Sequence, residues 1–206
     1  MTTDQTTETP AESNFTDAAD SDSITAASLE IVSINKSSLF TAQDCNDILS
    51  TCVEELWLPT TVIGNKKIHV GKRQKLRGDT AGFPFLNIRD VTKAANTNIY
   101  DFSLLGIIDQ DFPQVFKYSQ GDFYDMHIDL NSMAVSRKIT FLINLSDYSE
   151  YEGGQIEFLN IDVDPQVINE QGSCLIFPSY VPYSITPVTK GTMHLLVGHV
   201  HGALFK

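Results

Sequence analysis

From Phe112 onward the sequence is a succession of short β-type runs cut by turn residues, and nothing else in the chain restricts its fold as much. The runs cover residues 114–118, 124–129, 138–145, 155–159, 173–177, 183–188 and 193–201. Turn chemistry separates them at Gly121-Asp122, Gly153-Gly154, Gln171-Gly172 and Lys190-Gly191. Each run is too short for a stable helix and rich in β-branched and aromatic residues. Many short strands at even spacing predict an all-β sandwich or jelly roll. Ahead of them, residues 29–34 read as a first strand. Thr41-Ala42-Gln43-Asp44 reads as a capping-box-like helix start with Asp in the Glu/Gln place. Apolar residues then recur at Cys45, Ile48, Leu49, Cys52, Val53 and Leu56, a helical spacing that Pro59 closes. A second helix is expected over 89–97. Helices that precede a run of strands pack on the outer face of one sheet. The expected class is mainly β with flanking helices (α+β).

The chain has 206 residues, enough for one domain with a sizeable core and too few for two. Residues 1–27 carry six acidic side chains and no basic one. So little apolar surface cannot offset chain entropy, and a disordered acidic tail is expected there, followed by one domain over 28–206. The net charge of −12 argues against a nucleic-acid or anionic-membrane partner, because both need clustered Lys and Arg. No run of roughly 18 apolar residues is present, and Met1-Thr2-Thr3-Asp4 does not open like a secretory signal. The three cysteines, Cys45, Cys52 and Cys174, fit no metal ribbon and read as free buried thiols in a reducing, cytoplasmic setting.

The chemistry concentrates at His127-Ile128-Asp129. On a strand, residues i and i+2 share a face, so an imidazole and a carboxylate can hold one metal ion side by side. That is two thirds of a two-His-one-carboxylate set, which suits ferrous iron and leaves open positions. A lone His-x-Asp is common, but its surroundings are more specific. The stretch Tyr118-Ser119-Gln120-Gly121-Asp122-Phe123-Tyr124-Asp125-Met126-His127-Ile128-Asp129 is followed by Arg137-Lys138-Ile139-Thr140-Phe141, then Tyr151-Glu152-Gly153-Gly154. A third block, Phe177-Pro178-Ser179, leads into Thr186-Pro187-Val188-Thr189-Lys190-Gly191-Thr192. Upstream, Ala95-Asn96 and Phe102 fit a helix and the turn after it. In this order the blocks, over 89–202, resemble the iron(II)/2-oxoglutarate dioxygenase superfamily, prolyl 4-hydroxylase-like branch.

That resemblance implies a double-stranded β-helix (jelly roll, cupin-like). It implies Fe(2+), with 2-oxoglutarate as cosubstrate and ascorbate in support, acting on a peptidyl (prolyl-like) or small-molecule C–H bond. His127 and Asp129 would be metal ligands, and Tyr118 and Tyr124 would line the cosubstrate pocket. The proportions of the chain resemble small oxygenases carried by viruses and bacteria. Two positions depart from the pattern. The family's second metal histidine falls five residues after Pro178, where this chain has Tyr183. The cation that pairs with the distal carboxylate of 2-oxoglutarate falls at Met193. A phenol ionises near pH 10, which makes Tyr183 a poor ligand for ferrous iron.

Two side chains are candidates to compensate. On a regular last strand, Met193, Leu195, Val197, His199 and His201 share one face and His194 points away. His199 would then face the cavity, and Arg137 could supply a cation. With Asp129 and His127 on one sheet, residues 183 and 193 are expected to line the hollow from the other. The basic segment 66–77, six of the fourteen cationic residues, is expected at the barrel mouth, on a solvated face or against an acidic partner. The alternatives are an active oxygenase, a jelly-roll binding domain that has lost the chemistry, and a different metal chemistry completed by Tyr183 or His199.

Overall fold

The computed structural model describes the backbone of residues 32–34 and all of residues 40–60, 69–132, 134–164 and 169–205. The expected acidic tail lies outside the described residues, as do Lys66 and Lys67 of the basic segment. The elements before the barrel are β1 (Val32–Ile34), α1 (Ala42–Ser50), β2 (Leu58–Pro59), β3 (His69–Val70), β4 (Lys72–Lys75), α2 (Phe85–Ala95) and β5 (Leu104–Gly106). The barrel strands are β6 (Gln114–Ser119), β7 (Phe123–His127), β8 (Arg137–Asn144), β9 (Tyr151–Gly153), β10 (Ile156–Phe158), β11 (Cys174–Pro178), β12 (Tyr183–Ile185) and β13 (Val188–Gly202).

The strands form two antiparallel sheets. The larger has the order β1-β11-β8-β13-β6-β4-β2, and the smaller β10-β12-β7-β3. The sequence of β8 shows why the larger sheet can sit between two layers. Ile139, Phe141 and Ile143 face one way and join a core with Ile48, Ile88 and Val91 of the helices. Leu142, on the alternate face, joins Leu175, Phe177, Tyr183 and Ile185 between the sheets. A strand buried on both faces reads as a continuous apolar run, which is what residues 139–143 are. The same alternation splits β13. Leu196 and Val200 face the helices, while Leu195 and Val197 face the smaller sheet.

Both helices differ from their expected limits. The Thr41/Asp44 capping box forms as read, with each side chain accepting from the other residue's backbone N–H. The apolar spacing runs on to Leu56, yet the helix stops at Ser50. There the Thr51 hydroxyl donates to the Ile48 carbonyl at 2.7 Å, a local bond that competes with another helical turn. Val53 N–H then leaves the helix axis to donate to Gln74 Oε1 at 3.0 Å. Leu56 consequently ends up exposed rather than in the core. The second helix starts a turn earlier than expected, at Phe85 behind Pro84, and passes at Ala95 into a wider turn over Asn96–Tyr100. Asn96 closes that turn through both amide atoms on the backbone of Phe102.

Candidate active site

His127 is the last residue of β7 and pairs across the small sheet with Tyr183 of β12. Asp129 lies just past the strand end. Its N–H and that of Leu130 both donate to the Ser179 carbonyl, which turns the chain and seats the carboxylate in the barrel. Asp129 is buried, and its Oδ1 stands 3.7 Å from His127 Nε2. The side-by-side placement expected from the i, i+2 spacing therefore exists. Tyr183, however, stands on the same small sheet as His127, not on the facing one.

The protons at this pair follow from the hydrogen bonds. His127 Nδ1 is 2.8 Å from the carbonyl oxygen of Asp125, which can only accept, so Nδ1 carries the hydrogen. Burial lowers the His127 pKa against the pull of Asp129, which keeps the ring neutral with a bare lone pair at Nε2. That nitrogen is buried and has no hydrogen-bond partner among the described residues. Asp129 Oδ2 accepts from the Thr140 hydroxyl at 2.8 Å and from the Tyr183 hydroxyl at 3.2 Å, which leaves Oδ1 facing the imidazole. Burial opposes the Asp129 charge, but His199, His127 and the Thr140 bond outweigh it and hold the carboxyl well below its usual range. Tyr183 is pushed the other way, first by burial and then by Asp129, so it is a phenol that donates.

His199 approaches from β13. Its Nε2 is 3.4 Å from Asp129 Oδ2, outside hydrogen-bond geometry, and is the second buried imidazole nitrogen at this carboxylate without a hydrogen-bond partner among the described residues. Its Nδ1 is 3.1 Å from Asp111 Oδ2. Asp111 is a hub that the sequence did not reveal. Arg137 donates to both of its oxygens, at 2.6 and 2.8 Å, and His201 Nε2 lies 3.0 Å from it. Burial works against the Asp111 charge, yet His199 and Arg137 hold the carboxyl far below the ordinary range. Burial disfavours charge on His199 as well, but Asp129 and Asp111 outweigh it and raise its pKa.

Asp129, His199, Arg137, Tyr118 and Tyr124 line one cavity of about 210 Å³, together with Arg73. Tyr124 is stacked between His69 and His127, with ring centroids 3.8 and 3.5 Å away. The Tyr118 hydroxyl and His69 Nε2 share a hydrogen bond of 3.0 Å. Met193 is not a lining residue. It is buried, and a Cβ on Gly154 would stand 3.0 Å from its sulfur, so it fills the space beside the Gly153-Gly154 turn. As expected, His199 and Val197 face inward, while His194 turns away to Ser146 and Trp57. Thr140, Asp111, His69 and Arg73 were not singled out individually in the sequence.

Among the described residues, no three His, Cys, Asp or Glu side chains converge into a ready metal site. Two of them nevertheless fit a cation. The unpartnered lone pair of His127 Nε2 lies 3.7 Å from the Asp129 carboxylate, and a cation beside both would satisfy the imidazole and match the carboxylate's charge. Nδ1 bonded to a carbonyl with Nε2 left bare is the usual arrangement of a metal-binding imidazole. His199 is anchored in a similar way, with Nδ1 on the Asp111 carboxylate and Nε2 without a hydrogen-bond partner among the described residues.

Two antiparallel sheets closed around an inward His-x-Asp pair make a double-stranded β-helix. Residues 113–201 match the model of the 2OG-Fe(II) oxygenase superfamily. Over those residues the chain is similar to that superfamily, and its fold is that of solved prolyl 4-hydroxylases. Two similar relatives are PKHD-type hydroxylases. That of Prochlorococcus marinus is 36% identical over 85 residues, 41% of this chain and 38% of the relative. That of Idiomarina loihiensis is 33% identical over 85 residues, 41% of this chain and 39% of the relative. The chain thus spans about two fifths of the length of the curated relatives it matches. Solved structures share the fold more widely. A Pseudomonas putida prolyl-4-hydroxylase superposes with a TM-score of 0.64 at 18% identity, over 86% of this chain and 95% of that one. A Trichoplax adhaerens prolyl hydroxylase, solved with a hypoxia inducible factor oxygen degradation domain peptide fragment, gives 0.63 at 18% identity, over 85% and 84%. No helix among the described residues is long and apolar enough to cross a membrane.

Proposed function

We propose that the chain is an iron(II)/2-oxoglutarate-dependent oxygenase that hydroxylates a C–H bond of a peptide, prolyl-like, or of a small molecule. The observation that carries this reading is the buried His127 Nε2, without a hydrogen-bond partner among the described residues and 3.7 Å from Asp129 Oδ1. His127 and Asp129 hold the metal. His199, not Tyr183, is the side chain offered to complete the set. Iron(II) with 2-oxoglutarate and oxygen supplies the oxidising power for C–H hydroxylation, with ascorbate as the family's reductant.

The chain's own residues do the rest. Thr140 and Tyr183 fix the Asp129 carboxylate by donating to Oδ2, which turns Oδ1 toward His127. Asp111, clamped by Arg137, orients His199 through Nδ1. His69 and Tyr124, ring on ring, wall one side of the cavity, and His127 stacks on Tyr124. Peptide substrates are supported by the Trichoplax adhaerens neighbour, which was solved with a peptide bound. Free thiols at Cys45, Cys52 and Cys174 fit a cytoplasmic setting.

Anaerobic calorimetry tests the reading. Ferrous iron, then 2-oxoglutarate, should each bind the wild-type protein and neither should bind His127→Ala. A folded wild-type protein that takes up neither is a jelly roll without this chemistry.

A further inference from the structure

The two guanidinium groups that line the cavity are in different states. Arg137 is fully engaged. It grips both oxygens of Asp111, and its Nη1 donates to the Asp129 carbonyl at 3.1 Å. Arg73 is half-buried and pairs with no carboxylate among the described residues. The other basic side chains there are imidazoles. His199 stands between Asp111 and Asp129. His69 is held neutral, its pKa lowered to about 3 by burial and by the nearby His127 and Arg73. Arg73 is therefore the one lining cation whose charge nothing among the described residues matches.

The backbone explains how a residue from a basic surface segment reaches the interior. β3 belongs to the small sheet, where His69 pairs with Tyr124 of β7. β4 belongs to the large sheet, where Arg73 pairs with Phe116 of β6. Residues 69–75 thus cross from one sheet to the other and bridge the hollow. Alternation along β4 sends Gln74 to the opposite side, where it accepts from Val53 N–H, and leaves Arg73 toward the cavity.

We propose that Arg73 is the cation that receives the distal carboxylate of 2-oxoglutarate in this chain, taking over from residue 193. The proposal rests on the reading of the site as a 2-oxoglutarate site. Met193, buried beside Gly154, offers no charge and does not border the cavity. A half-buried, unmatched guanidinium is a strong anchor for a carboxylate, because its planar donors meet both oxygens at once.

The test uses the full chain loaded with Mn(II) in place of iron. Calorimetry compares 2-oxoglutarate with 2-oxopentanoate, which has the same keto acid end and a methyl group where the distal carboxylate would be. Arg73→Ala and Arg73→Met should weaken 2-oxoglutarate by about 10- to 100-fold, the range for losing hydrogen bonds to a charged group. Both should leave 2-oxopentanoate unchanged, and Arg73→Lys should recover part of the loss. Lys72→Ala, an exposed neighbour, controls for general charge and should change nothing. Equal 2-oxoglutarate affinity in wild type and both Arg73 variants would overturn the assignment while leaving the oxygenase reading intact. Wild-type protein that takes up Mn(II) but not 2-oxoglutarate would overturn that reading, and the assignment with it. Melting temperatures within a few degrees of wild type establish that the variants fold.

Discussion

Replacing Tyr183 by Phe separates two roles that its position in the family confuses. If Tyr183 were a metal ligand, its loss would equal the loss of His127. The geometry assigns it a lesser part. Its hydroxyl donates to Asp129 Oδ2 at 3.2 Å, and Thr140 already donates to the same oxygen at 2.8 Å. The ring packs 5.1 Å from Phe177 and 4.3 Å from His127, centroid to centroid, and a phenylalanine keeps those contacts. Stability should therefore fall by only about 1–2 kcal/mol, one hydrogen bond to a charged acceptor that keeps a second donor. Removing a residue that orients a ligand typically lowers metal affinity by about 10- to 100-fold, or roughly 1.4–2.8 kcal/mol. Cobalt(II) titration followed by visible absorption measures this directly. Tyr183→Phe should bind with that modest loss, while His127→Ala should not bind. The reasoning fails if Tyr183→Phe loses cobalt as completely as His127→Ala. It also fails if ferric protein shows a phenolate charge-transfer band that the substitution abolishes.

Two further outcomes concern stability. His69 and His194 are held neutral mainly by burial, with pKa lowered to about 3 and about 4, the latter also by Lys117. Unfolded imidazoles titrate near 6.5, so below that pH the unfolded chain takes up protons that the folded one refuses. Stability should fall by about 1.4 kcal/mol per pH unit for each imidazole, from about pH 6.5 down to about pH 4. Urea unfolding at pH 7, 6 and 5 reads the slope, His194→Asn should remove one imidazole's share, and a flat profile would contradict the assignment. Gly198→Ala should cost about 1–3 kcal/mol by overpacking, because a Cβ there would stand 2.3 Å from the Phe141 ring. An unchanged melting curve would mean that the ring has room to move.

The barrel was legible because its signals are local. The runs over 114–118, 138–145 and 173–177 each lie within two residues of β6, β8 and β11, since alternation and turn residues act over a few positions. The His127/Asp129 pair was legible for the same reason. What stayed hidden depends on contacts between distant segments. Helix α1 stops at Ser50, where Thr51 bonds back to Ile48, and the chain is then held off the helix axis by Gln74, far along the sequence, which takes the N–H of Val53. Asp111 sits in a short turn with no motif around it, and only the fold brings Arg137, His199 and His201 to it. Arg73 was visible as one charge in a basic run. The crossing of residues 69–75 between sheets, which turns it inward, is encoded in pairings with residues about 45 and 55 positions away.

The charges in the cavity argue that its two unusual positions belong to one design rather than to two separate losses. Arg137 and Asp111 cancel each other through a bidentate contact and leave no net field. What remains is Asp129 on one side and Arg73 on the other. Among the described residues, Asp129 is matched by His199 and two hydroxyl donors, and His127 Nε2 faces it without a hydrogen-bond partner. With a divalent ion on His127 and Asp129 and His199 neutral against it, the site carries two positive charges in excess. A dicarboxylate keto acid carries two negative ones. A site that had only decayed would have no reason to keep that balance, because the loss of a cation at 193 alone would leave it one charge short. A guanidinium delivered from a different strand restores the match, and two charges of opposite sign in a cavity this small are worth several kcal/mol even at an effective dielectric near 20.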